Sequence, residues 1–278
     1  MCKSFSGIVK ENGDVLWEFG IDGHEQLLQK HRLKDDGNKQ DWARFEIAPA
    51  NGSYLQPDEW KFKLDESPAP QWFSKIHERE AFKAWKDWKN RLDKILIYKP
   101  IIHPFRDIKS PEKITKKQLA LLGQWARVQA GMGASVWDSV GAGAWAGVGA
   151  SVWANVRDSV GGSVGASVGA GVGTSAWASV GASVWASTWD SVGVSVWDSV
   201  WAYIGSFFNL PRFAWKYTEN IECAGYPFQP AVDLWMMGLV PSYDGKNWRL
   251  HGGPKGKMLW KGTIEILALL NGNIEFPK

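Results

Sequence analysis

Two cysteines in 278 residues, Cys2 and Cys223, are too few and too far apart for a disulfide framework, so a reducing compartment is expected. The first thirty residues hold no apolar run of the kind that opens a secreted chain, and this also points to the cytoplasm. The histidines, at 24, 31, 77, 103 and 251, form no His-Glu-x-x-His pair and stand at no zinc spacing with a cysteine. His24 and His31, seven apart, read as a surface pair. No metal or cofactor is expected. Glycine-rich pieces such as Gly169-Ala170-Gly171-Val172-Gly173 lack the Lys-Ser/Thr ending of a phosphate-binding loop. His251-Gly252-Gly253, followed by Lys255 and Lys257, reads as a plain loop rather than an anion-binding turn.

Charge is scarce in one place above all. Within 135–210 the only charged residues are Asp138, Arg157, Asp158, Asp190 and Asp198, a net of −3, which leaves the flanks at +6 against a chain total of +3. Scattered solvated lysines explain so mild a basic excess, and nucleic acid is weakly supported as a partner. Residues 159–189 carry no charge, yet 16 of these 31 are Ser, Thr or Gly and none is Leu, Ile or Phe. Hydropathy that low does not favour insertion in a bilayer, although the glycines at 161, 165, 169 and 173 match a membrane glycine zipper.

What fills the uncharged stretch is a repeat. From Ser135 the chain runs SVWD SVGA GAWA GVGA SVWA NVRD SVGG SVGA SVGA GVGT SAWA SVGA SVWA STWD SVGV SVWD SVWA YIGS FFNL, nineteen tetrads without insertion or deletion. The second position is Val in fourteen of them and otherwise Ala144, Ala176, Thr188, Ile204 and Phe208. Up to the seventeenth tetrad the third position holds only Trp, Gly or Arg, residues whose codons can all take the form NGG. A twelve-nucleotide unit drifting by single-base changes produces this pattern. A site that accepts an indole for a hydrogen is expected to face outward, and the β-branched second position inward, since a packed interior registers a single methylene.

Residues four apart drift about 40° per step around an α-helix of 3.6 residues per turn, so over nineteen tetrads the valine stripe would circle a single helix about twice. Each glycine inside a helix also costs about 1 kcal/mol. An extended chain puts alternate residues on one face, so Ala and Val of Ala-Ser-Val-Trp would point in and Ser and Trp out. The expectation is a tetrapeptide-repeat β-helix, a β-solenoid over 131–210. At four tetrads per coil it would be a rod of about five coils, on the order of 23 Å long. Asp138, Asp158, Asp190 and Asp198 would cap its corners, and Tyr203, Ile204, Phe207, Phe208 and Leu210 would cover its end.

The flanks read as α+β. In the head, 1–104, Ser6–Trp17 is a hairpin around Asn12-Gly13, His24–Leu33 a short helix, and Trp42–Ile47 and Glu59–Leu64 strands. Residues 75–97 are an amphipathic helix with Phe82, Trp85, Trp88, Leu92, Ile95 and Leu96 on one side. A helical connector, 105–130, carries a helix near Thr115–Val128. The tail, 211–278, holds a helix near Pro230–Met237 and a hairpin through Asp244-Gly245, with Trp248 and Trp260 on strands. The fold class expected is an α+β head and tail flanking a β-solenoid.

The Ala-x-Val pattern resembles the inward pair of the pentapeptide-repeat family, with sides one residue shorter. The layout as a whole resembles uncharacterised phage and prophage proteins: a short head beginning MCKSFSG, a variable low-complexity repeat, and a tail like AVDLWMMGLVPSYDGKNWRLHGG. The resemblance implies host cytoplasm as the location and no particular activity.

Candidate functional residues fall in two sets. Cys2 would become an N-terminal nucleophile if methionine were removed, its α-amino group serving as base in an amidohydrolase. Trp137, Trp145, Trp153, Trp177, Trp185, Trp189, Trp197 and Trp201 form rows of indoles able to stack on bases or sugars or to bury against a protein partner or a second copy. The leading expectation is a non-enzymatic repeat scaffold or binding protein. The Cys2 enzyme and a membrane-embedded glycine-zipper assembly are the alternatives.

Overall fold

A computed structural model describes residues 5–35, 41–49, 60–140, 156, 159–160, 172–174, 176–184 and 196–270. The chain divides into two compact units, one of 1–98 with 160–175 and one of 99–159 with 176–278.

In the first unit a four-stranded antiparallel sheet runs in the order β2-β1-β3-β4, with β1 Phe5–Lys10, β2 Val15–Leu16, β3 Trp42–Pro49 and β4 Trp60–Leu64. The β1–β2 turn forms where Asn12-Gly13 places it, Asn12 Oδ1 accepting from the Asp14 amide at 3.0 Å. Alternation in β3 then sorts the two faces. Ile8 and Trp42 point to helix α1, His24–His31, where they pack with Leu27 and Leu28. Phe5, Phe45 and Trp60 point to α2, Lys75–Leu92, whose Trp88 lies with ring centroids 5.5 Å from Phe5 and 5.7 Å from Trp60. α2 begins at a capping box in which Ser74 accepts from the Ile76 amide, while His77 Nδ1 accepts from the Ser74 amide in the role usual for Glu or Gln. His77 Nε2–H donates to the Glu11 carbonyl at 3.0 Å, which fixes the tautomer and ties the helix start to the hairpin.

The second unit is built on α3, Lys116–Val140. Thr115 and Gln118 cap it reciprocally, the Thr115 amide donating to Gln118 Oε1 at 2.8 Å and the Gln118 amide to Thr115 Oγ1 at 3.4 Å. Its buried side includes Leu119, Leu122, Trp125, Ala126 and Met132. α5, Gln229–Trp235, packs on it, and α4, Trp197–Gly205, packs on α5, beside a three-stranded antiparallel sheet. The strands are β5 Leu239–Tyr243, β6 Trp248–Gly252 and β7 Lys257–Gly262, followed by α6, Ile264–Leu270. Asp244 closes the β5–β6 turn by accepting from the Lys246 and Asn247 amides. Tyr203 and Trp235 stack at 4.6 Å in the core, and Tyr203, Ile204, Phe207 and Phe208 are interior residues of this unit rather than the lid of a rod.

The β-solenoid expected over 131–210 is overturned. The two sheets are small and antiparallel, and the described repeat residues up to Gly205 are helical: α3 continues to Val140, 172–174 and 182–184 are helical, Trp177–Gly181 is a π-turn, and α4 carries tetrads sixteen to eighteen. A drift of about 40° per tetrad circles a helix only over many tetrads, and the described helical stretches of the repeat are short. Across Val196, Val200 and Ile204 the stripe turns only about 80°, inside the roughly 100° that an apolar helix face spans. Between Ala176 and Val184 the π-turn closes i→i+5 rings, which absorbs part of the drift.

The hidden column itself is present. Val156, Val160, Val172, Ala176, Val180, Val184, Val196, Val200, Ile204 and Phe208 are all buried. The third position departs from expectation, because it does not face water. Gly173, Gly181 and Gly205 are buried and Trp177, Trp197 and Trp201 half-buried. A Cβ on Gly181 would sit 2.2 Å from the Trp177 ring, and one on Gly205 would sit 2.1 Å from Tyr226 Oη. Glycine at these places makes room for a neighbouring ring. Among the described residues no helix is long and apolar enough to cross a membrane.

Candidate functional site

Asp198, a repeat residue in the first turn of α4, is 2% exposed and accepts from Gln129 Nε2 of α3 at 2.9 Å through Oδ2, while its Oδ1 has no hydrogen-bond partner among the described residues. Burial pushes this carboxyl up to about 8. It caps no solenoid corner. Ser199 Oγ beside it donates to the Pro241 carbonyl at 3.0 Å, and Ser159 Oγ accepts from the Lys216 amide at 3.0 Å. The small polar residues of the repeat thus bind the tail of the same unit.

Among the described residues, two serine–histidine pairs in the second unit have the spacing that nucleophilic catalysis needs, and neither has its other requirements. His103 Nε2 lies 3.0 Å from Ser183 Oγ. The Phe105 amide donates to His103 Nδ1 at 3.1 Å, so the lone pair is on Nδ1 and the Nε2 proton points at the serine. A neutral imidazole of this tautomer cannot accept the serine proton, and Arg106 donates to the same Oγ at 2.7 Å. Burial, then the Arg106 charge, holds His103 below its usual range and therefore neutral near pH 7. The group is a latch on the helical 182–184 stretch. In the second pair the tautomer is favourable, since His251 Nδ1 donates to the Gly256 carbonyl at 3.0 Å and Nε2 accepts from Ser242 at 2.9 Å. Here Ser242 is 1% and His251 0% exposed, so no substrate reaches them. Burial lowers the pKa of His251, in keeping with its joining β5, β6 and the turn before β7.

An open groove of about 640 Å³ lies along α3 in the second unit. Gln124, Arg127, Val128 and Gly131 face it at the i, i+3, i+4, i+7 spacing of one helix side. The 220–230 loop supplies Asn220, Glu222 and Cys223, and α5 supplies Gln229 and Asp233, which are hydrogen-bonded to each other at 2.7 Å. Cys223 is exposed, its Sγ 3.6 Å from the Gly225 carbonyl. The amides of Gln124, Asn220 and Gln229 are each able to donate and accept, and the groove holds a cation, Arg127, facing two acids.

Of the residues singled out from the sequence, Cys2, Trp145, Trp153, Trp185 and Trp189 lie outside the described residues, and Trp137 is on α3. Trp177 and Trp197 stack on each other at 4.4 Å with planes 16° apart, so two of the rings expected in an exposed row cover one another instead. Trp201 is half-buried. Nothing in the composition singled out Arg127, Glu222 or Asp233, since ordinary surface charges acquire meaning only when distant segments meet. His24 also lies where the spacing did not suggest. It is buried beside Glu46 and Asp65 in the first unit, while His31 faces Glu18 at 3.7 Å. No protein-family model, curated protein or solved structure matches the chain.

Proposed function

We propose that the protein is a non-enzymatic binding protein of phage or prophage origin, acting in the host cytoplasm, whose α3 groove receives a polar segment of a protein partner. One observation carries the reading: a groove of about 640 Å³ lined by side chains that suit a polypeptide. The volume is in the range of specific ligand sites. Carboxamides match the alternating donors and acceptors of a peptide backbone, and Arg127 opposite Glu222 and Asp233 suits a segment bearing both signs of charge. The repeat supports this reading as scaffold: Ser159 and Ser199 bind the tail, whose residues form the groove's far wall, and Asp198 binds Gln129 of α3.

The test is selection of peptides from a displayed random library on the full chain, followed by affinity measurement on two variants. Arg127→Glu reverses the cation and Gln124→Trp fills the floor, both at a solvent-facing helix side. Peptides that bind the native chain and lose at least about tenfold on each variant, with unchanged circular dichroism, support the groove, since a displaced charge pair alone costs on that order. Peptides that bind all three proteins alike would refute it.

A further inference from the structure

We propose that His24, Glu46 and Asp65 form a binding site for a divalent transition metal of the zinc class on the α1 side of the first unit's sheet. The β3–β4 register pairs Glu46 with Lys63 and Phe45 with Leu64, and the Asp65 amide donates to the Arg44 carbonyl one step further on. Cross-strand neighbours share a face, so Glu46 and Asp65 lie diagonally on the same side as Ile8 and Trp42, the side that α1 covers. α1 begins at His24, directly after its N-cap Gly23, and that start delivers the imidazole to the two carboxylates. One nitrogen of His24 and one oxygen from each acid fall within 4.8 Å of one another.

The hydrogen bonding of His24 is that of a metal ligand. Nε2 lies 3.0 Å from the Phe45 carbonyl, which can only accept, so Nε2 carries the proton. In the neutral ring the Nδ1 lone pair then faces Asp65 Oδ2 at 3.6 Å. A histidine that binds metal through one nitrogen commonly donates the other N–H to a backbone carbonyl, which fixes its tautomer and aim. The 3.6 Å gap is too long for a direct hydrogen bond. It is close to the spacing that a shared ion imposes: two ligand atoms each about 2.1 Å from a tetrahedral centre stand about 3.4 Å apart. Asp65 Oδ1 is held by Lys63 Nζ at 3.0 Å, leaving Oδ2 turned to the site.

Charge and access agree with a dication. Glu46 is 8% and His24 6% exposed, and two carboxylates this close together attract a positive charge between them. Arg44 on the same face is itself paired with Glu66 at 3.0 Å and Asp35 at 3.1 Å. Asp65 is solvent-accessible, which provides an entry path and room for water in a fourth position. One imidazole with two carboxylates suits zinc, cobalt or manganese rather than calcium, which takes oxygen alone. Bound there, the ion joins the start of α1 to β3 and to the end of β4.

The competing reading is a direct His24–Asp65 ion pair, and the test separates the two. Chelator-stripped full-length protein is titrated with Co²⁺ while the visible absorption is recorded, and its Tm is measured with and without Zn²⁺. The expected results are one Co²⁺ per chain with visible bands, and a Tm raised by several degrees at saturating Zn²⁺. Asp65→Asn, at an accessible position that leaves the core intact, and His24→Gln should each weaken Co²⁺ at least about tenfold, the loss seen even for outer-shell changes. His31→Gln should bind as the native chain does. No visible bands and no Tm change up to millimolar metal would overturn the proposal, as would binding that persists undiminished in Asp65→Asn.

Discussion

Asp198→Asn should make the protein less stable in acid and more stable near neutrality, with the two stability curves crossing between about pH 4.5 and 5.3. The buried carboxyl is displaced from 3.8 to about 8 by desolvation. The folded chain therefore keeps its proton where the unfolded chain has released it, and the folded state binds more protons throughout that window. Stability must then fall as pH rises from about 4 to about 8, by roughly 1.4 kcal/mol per pH unit. At pH 7 the charge-burial cost is about 4 kcal/mol. Asparagine accepts from Gln129 as the acid does and never ionises, but its amide N–H groups take the place of an oxygen with no partner, a constant cost of about 1–2 kcal/mol. The difference between the proteins is thus about −1 to −2 kcal/mol near pH 4 and about +2 to +3 kcal/mol at pH 7. Urea denaturation of both at half-unit steps from pH 4 to 8 measures it. His251, whose lowered pKa removes stability as pH falls below its unfolded value of 6.5, acts in both proteins alike and cancels. Parallel curves, or an asparagine variant weaker at every pH, would refute the reasoning.

Gly181→Ala should unstack Trp177 from Trp197 and diminish the near-ultraviolet dichroism of the indoles, because the new methyl would lie 2.2 Å from the Trp177 ring; an unchanged spectrum would return the third repeat position to the surface. Gly205→Ala should cost about 1–3 kcal/mol, read as a lowered urea midpoint, since it displaces the Tyr226 hydroxyl from the Ala202 carbonyl that it meets at 2.6 Å. Tyr203→Phe should cost about 1–3 kcal/mol by the same measurement, because the Ile102 amide, donating to that hydroxyl at 2.7 Å, loses its acceptor.

Local physics made much of the flanks legible. Asn12-Gly13 and Asp244-Gly245 form turns where their sequence places them, the alternation of Trp42–Ile47 sorts β3 into two faces, and the three-and-four spacing of Phe82, Trp85, Trp88 and Leu92 yields α2, which ends at Leu92 rather than at 97. Candidate sites were not legible, because their members are remote in the chain. His24 meets a carbonyl 21 residues away and His103 a serine 80 residues away. Spacing rules find ligands on one helix or one loop. They are silent on a register pairing that brings Glu46 and Asp65 together, or on a groove whose walls come from α3 and the 220–230 loop.

By itself the sequence determined that the second-position column of the repeat is hidden. A β-branched or apolar residue every fourth place shares one face in an extended chain, where four is twice the period, and in any short helix, where two steps drift only about 80°. Both structures bury the same column, so periodicity could not choose between them. Only the tertiary structure decided for helix, and the deciding contacts lie outside the pattern: Gln129 at Asp198, Tyr226 against Gly205, and Trp177 over Gly181 with its ring on Trp197. Glycine's cost in a helix is set against a ring that needs the space, and that partner is visible only once the chain has folded.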